Sequence, residues 1–251
     1  MGGRKIRITL AYDGTDFHGW QRQRAHRTVQ GVMEDALRRM HGHPVPLAGA
    51  GRTDAGVHAT GQVAHFTTDL ESISDRRFLN ALNYYLPNDV RVLDSRQAHS
   101  GFDARRSARA RSYSYHISCD SVVLPHHRRY CLHLGRSLDV VRLNEIVSVL
   151  HGSHDFSSFV VQKDGHRNRK RRIHLCRFEA VGRTVVFRIS ADAFLWKMVR
   201  NILGTVLAIG EQGAGCEELA RILEGRDRSL AGATAPAHGL FLRRVFYQSE
   251  G

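Results

Sequence analysis

A single carboxylate set among small residues is the most chemically suggestive feature of this sequence. The run Gly49-Ala-Gly-Arg-Thr-Asp-Ala-Gly-Val-His-Ala59 puts Asp54 directly after Arg52 and Thr53, between glycines at 51 and 56 that permit tight backbone turns. Presented at the floor of a cleft, such a carboxylate can serve as a nucleophile or an anionic stabiliser. A plainer role is also open to it, capping a turn or pairing with Arg52, and the motif alone does not choose between them.

Other chemistries find no support. Gly49 and Gly51 begin like a dinucleotide fingerprint, but its sixth position is Asp54, whose charge would repel a pyrophosphate. Asp13-Gly14-Thr15 is like the end of an aspartyl-phosphatase loop, yet the position two residues earlier is Ala11, which cannot attack. No GxxxxGK[ST] cradle occurs, and the 16 histidines include no HExxH pair. Cys119, Cys131, Cys176 and Cys216 form no CxxC pair, no zinc spacing and no disulfide framework. Neither a metal nor a cofactor is expected, and a reducing cytoplasm is the expected setting.

Charge points to the partner. Lys+Arg number 37 against 24 Asp+Glu, a formal excess of +13, and Lys5, Lys163, Lys170 and Lys197 are the only lysines. Codon bias can explain the preference for arginine but not the net excess. A polyanion is therefore the expected partner, and arginine's planar fork suits phosphates and bases. The cations gather at Arg22/Arg24, Arg105/Arg106/Arg109/Arg111, His126-His-Arg-Arg129 and His166 to Arg172. The first residues, Met1-Gly2-Gly3-Arg4-Lys5-Ile6, lack an apolar leader core, and Ile6 stands where a myristoylation signal needs Ser or Thr. The longest apolar stretch, Met198 to Gly210, is broken by Arg200 and Asn201 and is too short to span a bilayer. A soluble protein with no membrane partner is expected.

The elements that must position Asp54 follow from periodicity. Ile6, Ile8, Leu10 and Tyr12 alternate as a half-buried strand, followed by a turn at Asp13-Gly14. Thr28 is placed to cap a helix whose apolar face is Val29, Val32, Met33, Ala36, Leu37 and Met40. Strand character resumes over Gln62 to Thr67, Phe78 to Leu86 predicts a helix closed by Pro87, and Val90 to Leu93 a strand. The basic, aperiodic run Asp103 to Arg111 reads as a joint between two domains, 1–104 and 105–251. Beyond it, Tyr113, Tyr115 and Ile117 read as a strand, Val140 to Leu150 as a helix stripe, and Ile173 to Ala180 and Val185 to Ile189 as strands. A wide helix face recurs from Phe194 to Leu207, and Leu240 to Val245 closes as a strand. With 251 residues, 42% of them hydrophobic, the chain suits an α+β protein of two mixed domains.

Ordered blocks then carry a family resemblance. The Asp54 motif resembles the nucleophile motif of the tRNA pseudouridine synthase A family of bacteria. Tyr12-Asp-Gly-Thr-Asp-Phe-His-Gly-Trp-Gln-Arg22 with Thr28-Val-Gln30 is similar to that family's opening signature. Gly61-Gln-Val-Ala-His-Phe66, Phe102-Asp-Ala-Arg105 with Arg111-Ser-Tyr113-Ser-Tyr115, and His154-Asp-Phe-Ser-Ser-Phe159 resemble later blocks in order. So do Ala193-Phe-Leu-Trp-Lys-Met-Val-Arg200-Asn-Ile-Leu-Gly204 and Ala237-His-Gly-Leu-Phe-Leu242. The likeness runs from about residue 5 to residue 247.

The resemblance implies a pseudouridine synthase fold: two domains sharing an extended antiparallel sheet, with the active-site cleft between them. It implies isomerisation of uridine to pseudouridine without a cofactor, at positions 38, 39 and 40 of the tRNA anticodon stem-loop, by a homodimer. Asp54 matches the catalytic aspartate, Tyr113 the tyrosine that packs on the target base, and Arg200 the arginine that pairs with the aspartate. Arg52 matches the arginine that helps displace the target nucleotide, and Leu240 an apolar contact in the pocket. A binding protein without catalysis on the same fold, and a synthase acting on other RNA uridines, are the alternatives.

The run Lys163-Asp-Gly-His-Arg-Asn-Arg-Lys-Arg-Arg172 departs from the family pattern and is expected to lie on the surface, gaining most beside phosphates. Neutralising Arg167, Arg169 and Lys170 is expected to weaken binding of all tRNAs alike. It should also flatten the plot of log affinity against log salt by roughly 0.7–0.9 per lost phosphate contact, with turnover at saturating tRNA nearly unchanged. An unchanged salt slope would reduce this run to a solvated surface.

Overall fold

Strand β1 (Arg4–Tyr12) buries every second side chain, Ile6, Ile8 and Leu10 completely, as its alternation requires. It belongs to the first of two compact units into which the chain divides, Met1–Arg109 with Phe241–Gly251, the second being Ala110–Leu240. The structure, a computed structural model, describes residues 3–161 and 168–248.

The first unit continues with α1 (Val29–His41), β2 (Ala48–Gly49), β3 (His58–Thr68), α2 (Phe78–Tyr85) and β4 (Val90–Ala98). β1 is central, antiparallel to β3 on one side and to β4 on the other, and β2 adds to β3 through Ala48↔His65 and Gly49↔Ala64. The last strand, β10 (Leu240–Tyr247), lies parallel to β3 at Phe241↔His58 and Leu242↔Ala59. Thr28 caps α1 as expected, its hydroxyl accepting from the Gly31 amide at 3.3 Å, and arginines in the last turn suit the negative end of the helix dipole. Pro87 ends α2 by forcing Leu86 into extended backbone. Val29, Met33 and Leu37 from α1 and Phe78 and Leu82 from α2 complete the core of this unit.

The second unit is built from β5 (Ala108–Ser118), β6 (Leu132–His133), α3 (Val140–Val147), β7 (Gly152–Asp155), β8 (Lys170–Val181), β9 (Thr184–Ala191), α4 (Met198–Glu211) and α5 (Cys216–Gly225). β5, β9, β8 and β7 pair antiparallel in that order, while β6 lies parallel to β5. Helix α4 is fixed by a buried polar clamp around Asn201. Asn201 Nδ2 donates to Phe159 O at 2.8 Å, its Oδ1 accepts from Thr234 Oγ1 at 2.6 Å, and Thr205 Oγ1 donates to Asn201 O at 2.8 Å. The Gly232 amide donates to Thr205 Oγ1 at 2.9 Å, so the segment before β10 is tied along the helix.

The protein is thus α+β, its strand pairing largely antiparallel as expected but with the parallel pairs β3–β10 and β5–β6. Several expectations need correction. The division falls at Arg109, not at 104, and the last strand joins the first unit; pairing between strands so distant in sequence leaves no local signal. Ala108 to Arg111 are not a joint but the start of β5, drawn into extension by pairing such as Arg111↔Ala191. Likewise β8 begins at Lys170 rather than Ile173, because Asp155↔Lys170 and His154↔Arg171 extend the ladder through charged residues. Lys170 to Arg172, expected only to lie on the surface, are thus strand residues, and Lys163 to Arg167 lie outside the described residues. Phe194 and Leu195 precede α4, which starts only after Lys197 takes a left-handed φ of 60°. Helix α5 was not anticipated, although Leu219, Ile222 and Leu223 form a buried stripe behind Glu217 and Glu218.

Candidate active site

Asp54 lies half-buried in the loop between β2 and β3, and several backbone groups around it are tied down. The Ala50 amide donates to Val63 O at 2.8 Å, Gln62 Nε2 donates to Gly51 O at 2.8 Å, and the Trp20 amide donates to Thr53 O at 3.0 Å. After Asp54 the chain reverses: the Val57 amide donates to Asp54 O at 3.2 Å, and Gly56 adopts a φ of 77°. Gly51 needs no special freedom, contrary to expectation, since its φ is not positive and a side chain there would meet nothing within 4 Å. The glycine that matters is Gly19. Its φ is 86°, and a Cβ would sit 2.6 Å from the carbonyl oxygen of Thr53. Arg52 is exposed, and its guanidinium Nε donates to Gln21 Oε1 at 3.0 Å.

Beneath the loop, the hydroxyls of Tyr12 and Thr53 share a hydrogen bond of 2.8 Å, with Gln62 as a further partner of the Tyr12 phenol. Tyr12, Thr53 and Gln62 are all buried, Gln62 completely. Burial pushes the Tyr12 phenol up to about 12, against the pull of its hydrogen bonds from Thr53 and Gln62. One residue from the carboxylate, the loop is therefore anchored to the last residue of β1. Just after it, buried His58 stacks on Phe241 at 4.6 Å, and its Nδ1 accepts from the Gly14 amide at 3.0 Å.

The remaining site residues belong to the second unit. Tyr113 on β5 is nearly buried, and its ring and that of Phe194 lie edge-to-face, 5.1 Å between centroids at 87°. Arg200, in the first turn of α4, is half-buried, with Nε donating to Ala235 O at 2.7 Å, while the Ala235 amide donates to Arg200 O at 3.1 Å. Tyr115 donates to the next carbonyl, Pro236 O, at 2.8 Å. Burial raises its phenol, with the positive field of Arg200 opposing. Leu240 is buried directly after Gly239, where a Cβ would lie 2.5 Å from the Tyr115 ring. Each unit thus gathers its own share of the expected residues: Arg52 and Asp54 in the first, Tyr113, Arg200 and Leu240 in the second.

The model of a family described as tRNA pseudouridine synthase matches residues 8–105 and 146–248, including all of these except Tyr113. The chain belongs to this family. It is accordingly an isomerase. The tRNA pseudouridine synthase A of Treponema denticola is 41% identical over 98% of this chain and 94% of its own. That of Geobacillus kaustophilus is 44% identical over 98% and 95%, and that of Exiguobacterium sibiricum 41% over 97% and 97%. Among solved structures, the archaeal box H/ACA sRNP Nop10–Cbf5 complex is similar at 10% identity and a TM-score of 0.38. The match spans 82% of this chain but only 44% of the other, and adds nothing to the assignment.

Sequence reasoning about this synthase missed Tyr12 and Gln62 as supports of the loop and Phe194 as the support of Tyr113. For Tyr12 the alternation of β1 announced burial, but its hydroxyl partner lies across the sheet in a loop that no local pattern reaches. Because the folded state keeps the Tyr12 phenol neutral, its contribution is full below about pH 10, the unfolded value, and is lost as pH rises to about 12. Stability measured by denaturant unfolding is expected to fall across that window, and Tyr12→Phe is expected to remove part of the fall. The variant should also lose roughly 1 kcal/mol at neutral pH, the cost of leaving Thr53 without its partner. An identical high-pH fall in the variant would show that Tyr12 does not carry it.

Proposed function

We propose that this synthase isomerises uridine to pseudouridine in the tRNA anticodon stem-loop, at positions 38, 39 and 40, with Asp54 as the catalytic nucleophile. The observation that carries the proposal is the pinned loop around Asp54, which holds one carboxylate in a fixed backbone frame within a chain of +13 net charge. In the reaction the N1–C1′ bond breaks, a C5–C1′ bond forms, N1 takes up a proton and the C5 proton goes to water. Asp54 serves the detachment, whether by adding to C1′, by adding to C6 or by promoting a glycal. Arg200 is assigned the part of the arginine that partners the aspartate, Arg52 helps draw the nucleotide out of its stack, and Leu240 lines the pocket. Tyr113 packs on the freed uracil, replacing the stacking lost on extrusion. Phe194 against its ring restricts how that face can turn. A cytoplasmic homodimer accords with this role, and among the described residues no helix is long and apolar enough to cross a membrane.

Tritium release from tRNA labelled at uridine C5, with the modified sites mapped, tests the proposal. Asp54→Asn is expected to bind tRNA within a few-fold and release no tritium. Tyr113→Phe should retain base packing, whereas Tyr113→Ala should lose about 1–3 kcal/mol of it. Appreciable turnover by Asp54→Asn would overturn the nucleophile, and equal behaviour of the two Tyr113 variants would overturn the stacking role. Absence of release by the native chain would leave a binding protein, and release mapped elsewhere a synthase for other uridines.

A further inference from the structure

The turn that leaves β9 gathers aromatic surface and positive charge in one place. Ala191, the last residue of β9, is opposite Arg111 on β5 and Ile173 on β8, so the neighbouring strands deliver Arg111 and Arg172 beside the turn. Arg111 Nη1 donates to Asp192 O at 2.8 Å, and the Arg172 and Ala193 amides donate to Asp192 Oδ1 at 3.1 and 2.6 Å. One oxygen of the turn's carboxylate is thus occupied by backbone amides. Lys197 adds a third cation, its Nζ 5.5 Å from the centroid of the Trp196 ring.

Trp196 is one of two tryptophans in the chain, and they differ sharply: Trp20 is 2% exposed and Trp196 45%. Leaving so much apolar ring at the surface forgoes the burial that a tryptophan ordinarily supplies. Two residues earlier, Phe194 meets Tyr113, and two residues before Tyr113 on the same face of β5 is Arg111. An accessible indole beside Lys197, on the segment leaving a turn flanked by Arg111 and Arg172 and two residues from the phenylalanine that meets a base-packing tyrosine, has the composition of a stacking platform for single-stranded nucleic acid.

We propose, resting on the assignment of Tyr113 to the target uracil, that Trp196 is a second stacking residue. It receives a nucleobase next to the target uridine in the RNA, while Lys197, Arg111 and Arg172 face its phosphates. The nucleotide is recognised by its π-face and charge, not by its edge, so its identity matters little.

The two tryptophans provide the test. RNA hairpins carrying the target uridine are titrated against the Asp54→Asn protein while tryptophan emission is followed. Binding is expected to quench the emission, and the quench is expected to vanish in Asp54→Asn/Trp196→Phe. An abasic nucleotide placed either 5′ or 3′ of the target should abolish the quench on one side only. In the otherwise native chain, Trp196→Ala should raise KM about 5- to 100-fold with kcat nearly unchanged, whereas Trp196→Phe should stay within a few-fold. A quench that survives Trp196→Phe, one indifferent to both abasic positions, or an unchanged KM in Trp196→Ala would overturn the proposal. Pseudouridine formation by the native chain on the same hairpins is measured in parallel. Its failure would strike the assigned reaction, while its success without an effect at Trp196 would strike only the second stacking residue.

Discussion

A hydrogen bond between two buried hydroxyls, Tyr12 and Thr53, is the constraint from which the rest of the first unit's site follows. A carboxylate does useful covalent chemistry only when its approach is fixed, because a misplacement of an ångström costs orders of magnitude in rate. Short loops of small residues are poor at fixing anything by themselves. Here the loop borrows rigidity from β1 through Tyr12, from β3 through Gln62, and from the turn before α1 through Trp20 and Gly19. Three separate stretches of sequence are thereby committed to the position of one side chain.

The second unit uses the opposite material for a similar end. Instead of a loop pinned from below, it offers a helix whose polar groups are consumed in holding a neighbouring segment. Asn201 and Thr205 clamp residues 232 and 234, and Arg200 and Tyr115 take the carbonyls of Ala235 and Pro236 in succession. The side chain of residue 204 has to be hydrogen, since a Cβ would collide with the carbonyl of Ala233. Polar networks of this kind are stabilising only when every member is satisfied, which makes them unforgiving of substitution and specific in geometry.

Local signals carried the strands, the first helix with its Thr28 cap and the proline stop of α2, because each is written in contiguous residues. They misled where tertiary pairing overrode composition. Arg111 looks like linker and Arg171 and Arg172 like a solvated run, yet ladders with β9 and β7 hold them extended. The Phe194 stripe has helical spacing, but Lys197 departs from helical backbone and delays α4. Asp54 stood out from the sequence because a lone carboxylate among glycines is unusual. Its supports did not, because Tyr12 and Gln62 are ordinary strand residues until the loop folds over them.

The parallel pairing of β10 with β3 has a bearing on how the molecule is made. Residues 110–240 form their unit between the two pieces of the other, so a ribosome releases the whole of the inserted unit before it finishes the first. Until the final strand emerges, the edge of β3 at His58 and Ala59 lacks its partner, and Phe241 is not yet stacked on His58, four residues from Asp54. An open strand edge in a nascent chain invites pairing with other chains. Termination or stalling before residue 241 would thus cost more than a few surface residues. The strand that follows the Asp54 loop is completed only by a segment translated after the whole inserted unit.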